Sequence, residues 1–328
     1  MVRLRSTKVD DESKPRSTRR ELLTAAMLLG TGASLALRSA GGADGQAAQL
    51  PLITRAIPAS GAKLPVVGLG TNAFSARSAE ELPARRAVLQ RLAQLGGKVV
   101  DTAAIYGQSE AVIGDALASL AVREQLFLST KVLATDAQEG KSSMEESLHR
   151  LRTAHVDLME VHNLVGVEVM LPVLQEWQQA GRIRYLGITT ARVDEHARLA
   201  ELMRKYRLDF IQVDYSLANR DAADVVLPLA QERGIAVLVN VPFGGRRGAA
   251  GVFAEAAKRK LPDWAAEFDA ASWGQFFLKY VVSHPAVTCA IPGTTDVAHL
   301  EDNLCGARGR LPDAAMRKRM EQYWDAKA

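Results

Sequence analysis

From residue 50 onward, short runs of β-branched and apolar residues alternate with stretches of helical periodicity. The runs Val66–Gly70, Lys98–Thr102, Leu126–Val132, Val156–His162, Ile183–Thr190, Phe210–Ser216, Ala236–Pro242 and Val287–Pro292 read as strands. Between them apolar residues recur at three- and four-residue spacing, as in Ala87-Leu89-Leu92-Leu95 and Val173-Leu174-Trp177. Strands alternating with helices imply a parallel sheet covered on its outer faces. Eight such units predict an α/β fold of the (β/α)8 TIM barrel type rather than two doubly wound halves. Ile53–Ile57 and Lys63–Val66, joined around Ser60-Gly61, predict a hairpin that plugs the bottom of the barrel. A long loop, residues 243–271, follows the seventh strand at the end where barrel sites are built, and a last helix is expected around Ala314–Trp324.

The first 47 residues follow a different pattern. A polar, basic start runs to Arg20, then the apolar stretch Leu22–Leu37, then small residues through Gly41, Gly42, Ala43 and Ala47. That is the order of an export signal. Thr18-Arg19-Arg20-Glu21-Leu22-Leu23 resembles the twin-arginine signal. The apolar stretch is shorter than the ~20 residues of a membrane span. The expected organisation is therefore a signal peptide over residues 1–47 and a barrel over 48–328, with the mature protein exported to the periplasm by the twin-arginine machinery and no stable span thereafter.

Composition and charge narrow the picture further. The chain has 328 residues, 48% hydrophobic and 24% charged, an ordinary globular balance. Of its formal charge of +4, the leader carries +3, so the barrel is nearly neutral and gives no case for nucleic-acid binding. Cys289 and Cys305 are the two cysteines, too few for a disulfide scaffold. Gly68-Leu69-Gly70-Thr71-Asn72-Ala73 mimics a dinucleotide fingerprint, but Phe74-Ser75-Ala76-Arg77 delays the helix that the fingerprint requires. His149, His155 and His162 fall on a helix, a loop and a strand end, without an acid or Cys to complete a metal set. Trp177 and Trp273 sit at core spacing.

The chemistry lies at strand ends. Asp101, Lys131 and His162 each close a different strand, and Tyr106 follows the first of them in a short loop. In a barrel these four converge on one mouth. Lys131, paired with Asp101, supplies positive charge that favours phenolate and lowers the Tyr106 pKa from about 10. Tyr106 then serves as a general acid, and a neutral His162 orients a carbonyl oxygen.

DTAAIYGQSE, LSTKV, the His162-Asn163 strand end, AGRIRYLGITT and IPGTTDVAHLEDN resemble the aldo-keto reductase family, in order and over nearly all of residues 60–305. The resemblance implies an oxidoreductase that reduces a small aldehyde or ketone with NADPH or NADH, with the preference between the two open. It implies that Asp101, Tyr106, Lys131 and His162 are the catalytic set. It places cofactor binding on Gly70, Thr71, Thr189, Thr190, Gln212, Asn240, Pro242, Phe243 and Gly244, and at the adenosine end on Pro292, Gly293, Thr294, His299, Asp302 and Asn303. Asn72, Phe74 and Asn163 are the implied substrate residues. Thr189-Thr190 stand where the family usually has Ser-Asn, Asn240 where an aromatic residue often stacks, and Gly293 and His299 where NADPH-preferring relatives often have Lys and Arg. Backbone N–H groups opening the last barrel helix, or Arg246 and Arg247, then remain to hold phosphate. A second reading is a nucleotide-binding subunit of the same fold that senses redox state without turnover.

Overall fold

The computed structural model describes residues 50–245 and 251–326. The leader, together with Arg246, Arg247 and Gly248, lies outside the described residues. The chain opens with an antiparallel hairpin, β1 (Thr54–Ala56) and β2 (Lys63–Pro65). An eight-stranded parallel sheet follows: β3 (Leu69–Gly70), β4 (Val99–Asp101), β5 (Phe127–Val132), β6 (Val156–Val161), β7 (Ile183–Thr189), β8 (Phe210–Asp214), β9 (Ala236–Asn240) and β10 (Cys289–Ala290). Each lies inside its expected run, and they pair in sequence order. Parallel bridges Val67–Ala290 and Gly70–Gly293 join the first strand to the last, so the sheet closes. At that seam Gly70 N–H donates to the Pro292 carbonyl at 3.0 Å. A Cβ on Gly70 would lie 2.6 Å from the Ile291 carbonyl oxygen, so glycine lets the two strands meet.

The helices are α1 (Leu82–Gln94), α2 (Ser109–Leu120), α3 (Ala137–Arg150), α4 (Val167–Gln179), α5 (His196–Lys205), α6 (Val226–Arg233), α7 (Val252–Ala256), α8 (Trp273–Val282), α9 (Val297–Cys305) and α10 (Ala314–Asp325). Local chemistry starts several of them. Asp136 caps α3 by accepting from the N–H groups of Gln138 and Glu139, both at 2.9 Å, and Asp313 caps α10 through Met316 N–H at 2.8 Å. Their apolar stripes face the sheet: Val88, Leu89 and Leu92 of α1 are buried, as are Val173, Leu174 and Trp177 of α4. The loop after β9 is partly structured, holding α7 and a 3-10 turn at Asp263–Phe268. Cys289 and Cys305 are unbridged. Among the described residues no helix is long and apolar enough to cross a membrane.

Alternation along the strands sorts the barrel interior into layers. At the bottom Phe127, Tyr185 and Phe210 pack ring to ring at 5.4–5.9 Å with Val99, Leu158 and Leu238. Ile57 and Leu64 of the hairpin join this cluster, and Ser60 Oγ lies 2.6 Å from the Tyr185 hydroxyl. The hairpin is thus the expected floor plug. Two residues further along the strands the interior turns polar, with Asp101, Ser129, Glu160 and Gln212 all buried. The site stands on this layer.

Candidate active site

Lys131 and Asp101 form the centre. Both are almost fully buried, with Lys131 Nζ 2.6 Å from Asp101 Oδ2 and 2.7 Å from the Thr102 carbonyl. Burial pushes the ammonium pKa down, but the Asp101 charge, with help from Tyr106 and Glu160, more than reverses this and raises it. Asp101 Oδ1 accepts from Ser129 Oγ and Gln212 Nε2, each at 3.1 Å. The carboxylate is therefore held on three sides.

Tyr106 reaches the pair from the loop after β4. Its N–H donates to Ala103 O at 3.0 Å, and its own carbonyl accepts from Ser75 Oγ at 2.8 Å. Gly107, at φ +60, lets the chain turn there, and a Cβ on it would lie 2.8 Å from Ser75 Oγ. The half-buried ring places its centroid 5.4 Å from Lys131 Nζ and 5.8 Å from the His162 ring, edge on. Lys131 does pull the phenol pKa down, as the sequence suggests. Burial and the charges of Asp101 and Glu160 outweigh it, so the net shift is upward, a correction to the expected lowering. The phenol stays protonated at neutral pH.

His162 ends β6 and is buried, and burial, then the nearby Lys131 charge, push its pKa down to about 3. It is neutral at pH 7, and its Nδ1 has no hydrogen-bond partner. Asn163 and Leu164 follow at φ 55 and 54, and Val241 after β9 at φ 48. Three non-glycine residues in left-handed backbone at one barrel mouth mark a strained rim.

A cavity of about 690 Å³ opens over these groups. It is lined by Gly70, Thr71, Asn72, Asp101, Tyr106, His162, Asn163, Thr189, Gln212, Asn240, Pro242, Phe243, Gly244 and Gly293. A second cavity of about 430 Å³ shares Phe243 and Gly293 with it and adds Thr294, His299, Asp302 and Asn303. Thr190 is fully buried beside the first, its hydroxyl donating to Glu195 at 2.5 Å, and Pro292 sits at the barrel seam.

Some expectations are corrected. Phe74 is fully buried in the apolar core under Arg85 and does not line either cavity. Trp273 is more than a core filler, because it lines the second cavity beside Phe253 and Gly274. The N-terminus of α9 is already capped by Asp296, whose carboxylate accepts from His299 N–H at 2.9 Å and would oppose a phosphate there. Sequence reasoning also passed over Glu160, Arg192, Glu195 and Val241. Glu160 had one signal, an acid in the inward alternation of β6, two residues after Leu158.

The two joined cavities fit a nicotinamide dinucleotide. Asn240 Oδ1 is a buried acceptor without a partner, while Asn240 Nδ2 and Thr189 Oγ1 point at Gln212 Oε1 at 3.2 and 3.4 Å. These are polar groups poised for a carboxamide. Phe243 and Gly293 line both cavities, so the passage between them runs past these two residues.

The model of the aldo/keto reductase family matches residues 66–322. The methylglyoxal reductase YeaE of Escherichia coli is 30% identical over 260 residues, spanning 77% of this chain and 89% of its own length. Among solved structures, an aldo-keto reductase from Klebsiella pneumoniae in complex with NADPH superposes with a TM-score of 0.68 at 21% identity, over 85% of this chain and 96% of that one. The holo form of aldo-keto reductase AKR11C1 from Bacillus halodurans gives 0.67 at 22%, over 84% and 97%. The chain belongs to the aldo/keto reductase family, a class of NAD(P)-dependent oxidoreductases.

The buried neutral imidazole has a consequence for stability. Its pKa falls from 6.5 in the unfolded chain to about 3 in the fold. Between those values the unfolded state binds the extra proton, so stability drops as pH falls. Urea unfolding of the wild type from pH 6.5 towards pH 4 should lose stability more steeply than that of His162→Asn; equal slopes would contradict the assigned burial.

Proposed function

We propose that the protein reduces an aldehyde or ketone to an alcohol with NAD(P)H, using Tyr106 as the general acid. One observation carries this reading: Tyr106, Lys131, Asp101 and His162 meet at a single mouth beneath a cavity of about 690 Å³. Bound NAD(P)H would supply a hydride to the carbonyl carbon. The chain's own residues manage the oxygen. His162, neutral and unprotonated at its operating pH, has one N–H donor with which to orient the carbonyl oxygen. Tyr106 gives that oxygen its phenolic proton as negative charge develops there. The phenolate left behind faces the Lys131 ammonium, which Asp101 fixes in place. The raised phenol pKa keeps the acid loaded, and the cation supports its conjugate base.

Tyr106→Phe removes the proton donor while keeping the ring. Steady-state turnover on a panel of small carbonyls should fall by about 10²–10⁴-fold. Nucleotide affinity, read by quenching of the fluorescence of Trp273 and its neighbours, should hardly change. Wild-type turnover in that variant would defeat the assignment. A variant series with nucleotide binding but no turnover even in the wild type would favour the redox-sensing alternative.

The second cavity supports a weak preference between the two coenzymes. Its lining among the described residues has no Lys or Arg, an exposed His299, and the Asp302 carboxylate tied to Ser272 and Gln275 at 2.7 and 2.8 Å. A 2′-phosphate is held best by charge-assisted bonds to Arg or Lys. NADPH should therefore bind no more than about tenfold tighter than NADH, equivalent to ~1.4 kcal/mol. Dissociation constants for both, measured side by side, decide it; a hundredfold NADPH preference would require a cation from outside this lining.

Residues 1–47 are read as the address that sends this enzyme out of the cytoplasm, supported by Arg19-Arg20 ahead of an apolar stretch. Changing both arginines to Lys keeps the charge and removes the guanidinium pair. The precursor should then accumulate in the cytoplasm with its leader attached, as fractionation and immunoblotting would show. Normal export of the doubly changed protein would refute a twin-arginine leader.

A further inference from the structure

The barrel interior contains a second carboxyl group that the reaction above does not use. Glu160 lies on β6, in register with Lys131 of β5 on one side and Gly187 of β7 on the other, and it is fully buried. Its seat is provided by the neighbouring strand. A Cβ on Gly187 would stand 2.7 Å from the Phe210 carbonyl oxygen, which calls for glycine, and 3.2 Å from Glu160 Cγ, so the missing side chain leaves space beside the acid.

Glu160 Oε2 accepts from Gln212 Nε2 at 3.0 Å, and the same nitrogen donates to Asp101 Oδ1 at 3.1 Å. An amide nitrogen has two hydrogens, and here each has its own carboxyl acceptor. Turned end for end, the amide would set its carbonyl oxygen against both carboxyl groups. The orientation of Gln212 is thereby decided: nitrogen into the barrel, Oε1 up to the cavity that it lines. Asp101 alone would hold one hydrogen and leave the other buried without an acceptor.

We propose that Glu160 is a positioning residue that, together with Asp101, locks the Gln212 amide with its oxygen towards the mouth, so that the site selects a ligand presenting an amide N–H donor there. The inference rests on the dinucleotide reading, because the nicotinamide carboxamide is the ligand group with that donor. Burial, with Asp101 adding and Lys131 opposing, keeps the Glu160 carboxyl well above the usual carboxylate range.

The test compares NADH with its 3-acetylpyridine analogue, in which a methyl ketone keeps the carbonyl and removes the N–H donor. Binding is read by tryptophan fluorescence quenching, with no turnover required. The wild type should bind NADH at least about tenfold more tightly than the analogue. Glu160→Gln, which still accepts from Gln212, should retain that ratio. Glu160→Leu and Glu160→Met should shrink it to less than about threefold while leaving affinity for the analogue within about twofold. An undiminished ratio in the Leu and Met variants, or an equal loss of affinity for both ligands, overturns the proposal. A wild type that binds neither dinucleotide would instead overturn the nucleotide reading itself, and a wild type that binds both equally overturns this inference alone.

Discussion

Taking a lysine and an aspartate out of water together is costly, and the mouth of this barrel is arranged around that cost. The desolvation of Lys131 and Asp101 is offset only if their remaining polar valences are filled. They are: the ammonium donates to Asp101 and the Thr102 carbonyl, and the carboxylate accepts from Ser129 and Gln212 as well. Those partners come from β4, β5 and β8, so the pair ties together strands distant around the ring. A cation buried this way keeps a fixed position and an undiluted field, which is what a tyrosine 5.4 Å away requires of it.

The polar layer stands on an apolar one. Strand alternation sends Phe127, Ser129 and Lys131 inward on β5, and Leu158, Glu160 and His162 inward on β6 and its end. Aromatic rings and Ile57 and Leu64 of the hairpin pack together at the bottom. The opposite rim carries left-handed backbone at Asn163, Leu164 and Val241.

Much of this was legible in the sequence, for identifiable reasons. The eight strands were readable because β-branched runs and helical stripes alternate with almost no interruption, and each observed strand falls within its run. Asp101, Lys131 and His162 were readable because a charged or polar residue closing an apolar strand has few reasons to be there. Phe74 misled because proximity in sequence to Asn72 does not fix which way a side chain turns; it turned into the core. Glu160 escaped notice because strand-end logic looks at last residues, and its partner Gln212 is contributed by a strand two places away. The sign of the Tyr106 shift was also out of reach. A linear reading supplies the lysine, but the opposing effect of burial and two carboxyl groups is set only by packing.

The charges in the interior constrain one another more tightly than any pair suggests. Asp101 and Lys131 cancel, so a further ionised group would have to find its own counter-charge in a region with none left. Burial acts on both remaining groups against their charged forms, pushing the Glu160 carboxyl up and the His162 imidazole down. Tyr106 obeys the same rule in its resting state. On the proposed reading, a phenolate would form beside Lys131 as Tyr106 gives up its proton. Of the ionisable groups around Tyr106, Lys131 favours that state while Asp101 and Glu160 oppose it. The upward push on the Glu160 carboxyl therefore bears directly on the acid, because an ionised carboxylate there adds to the opposition that Lys131 has to overcome.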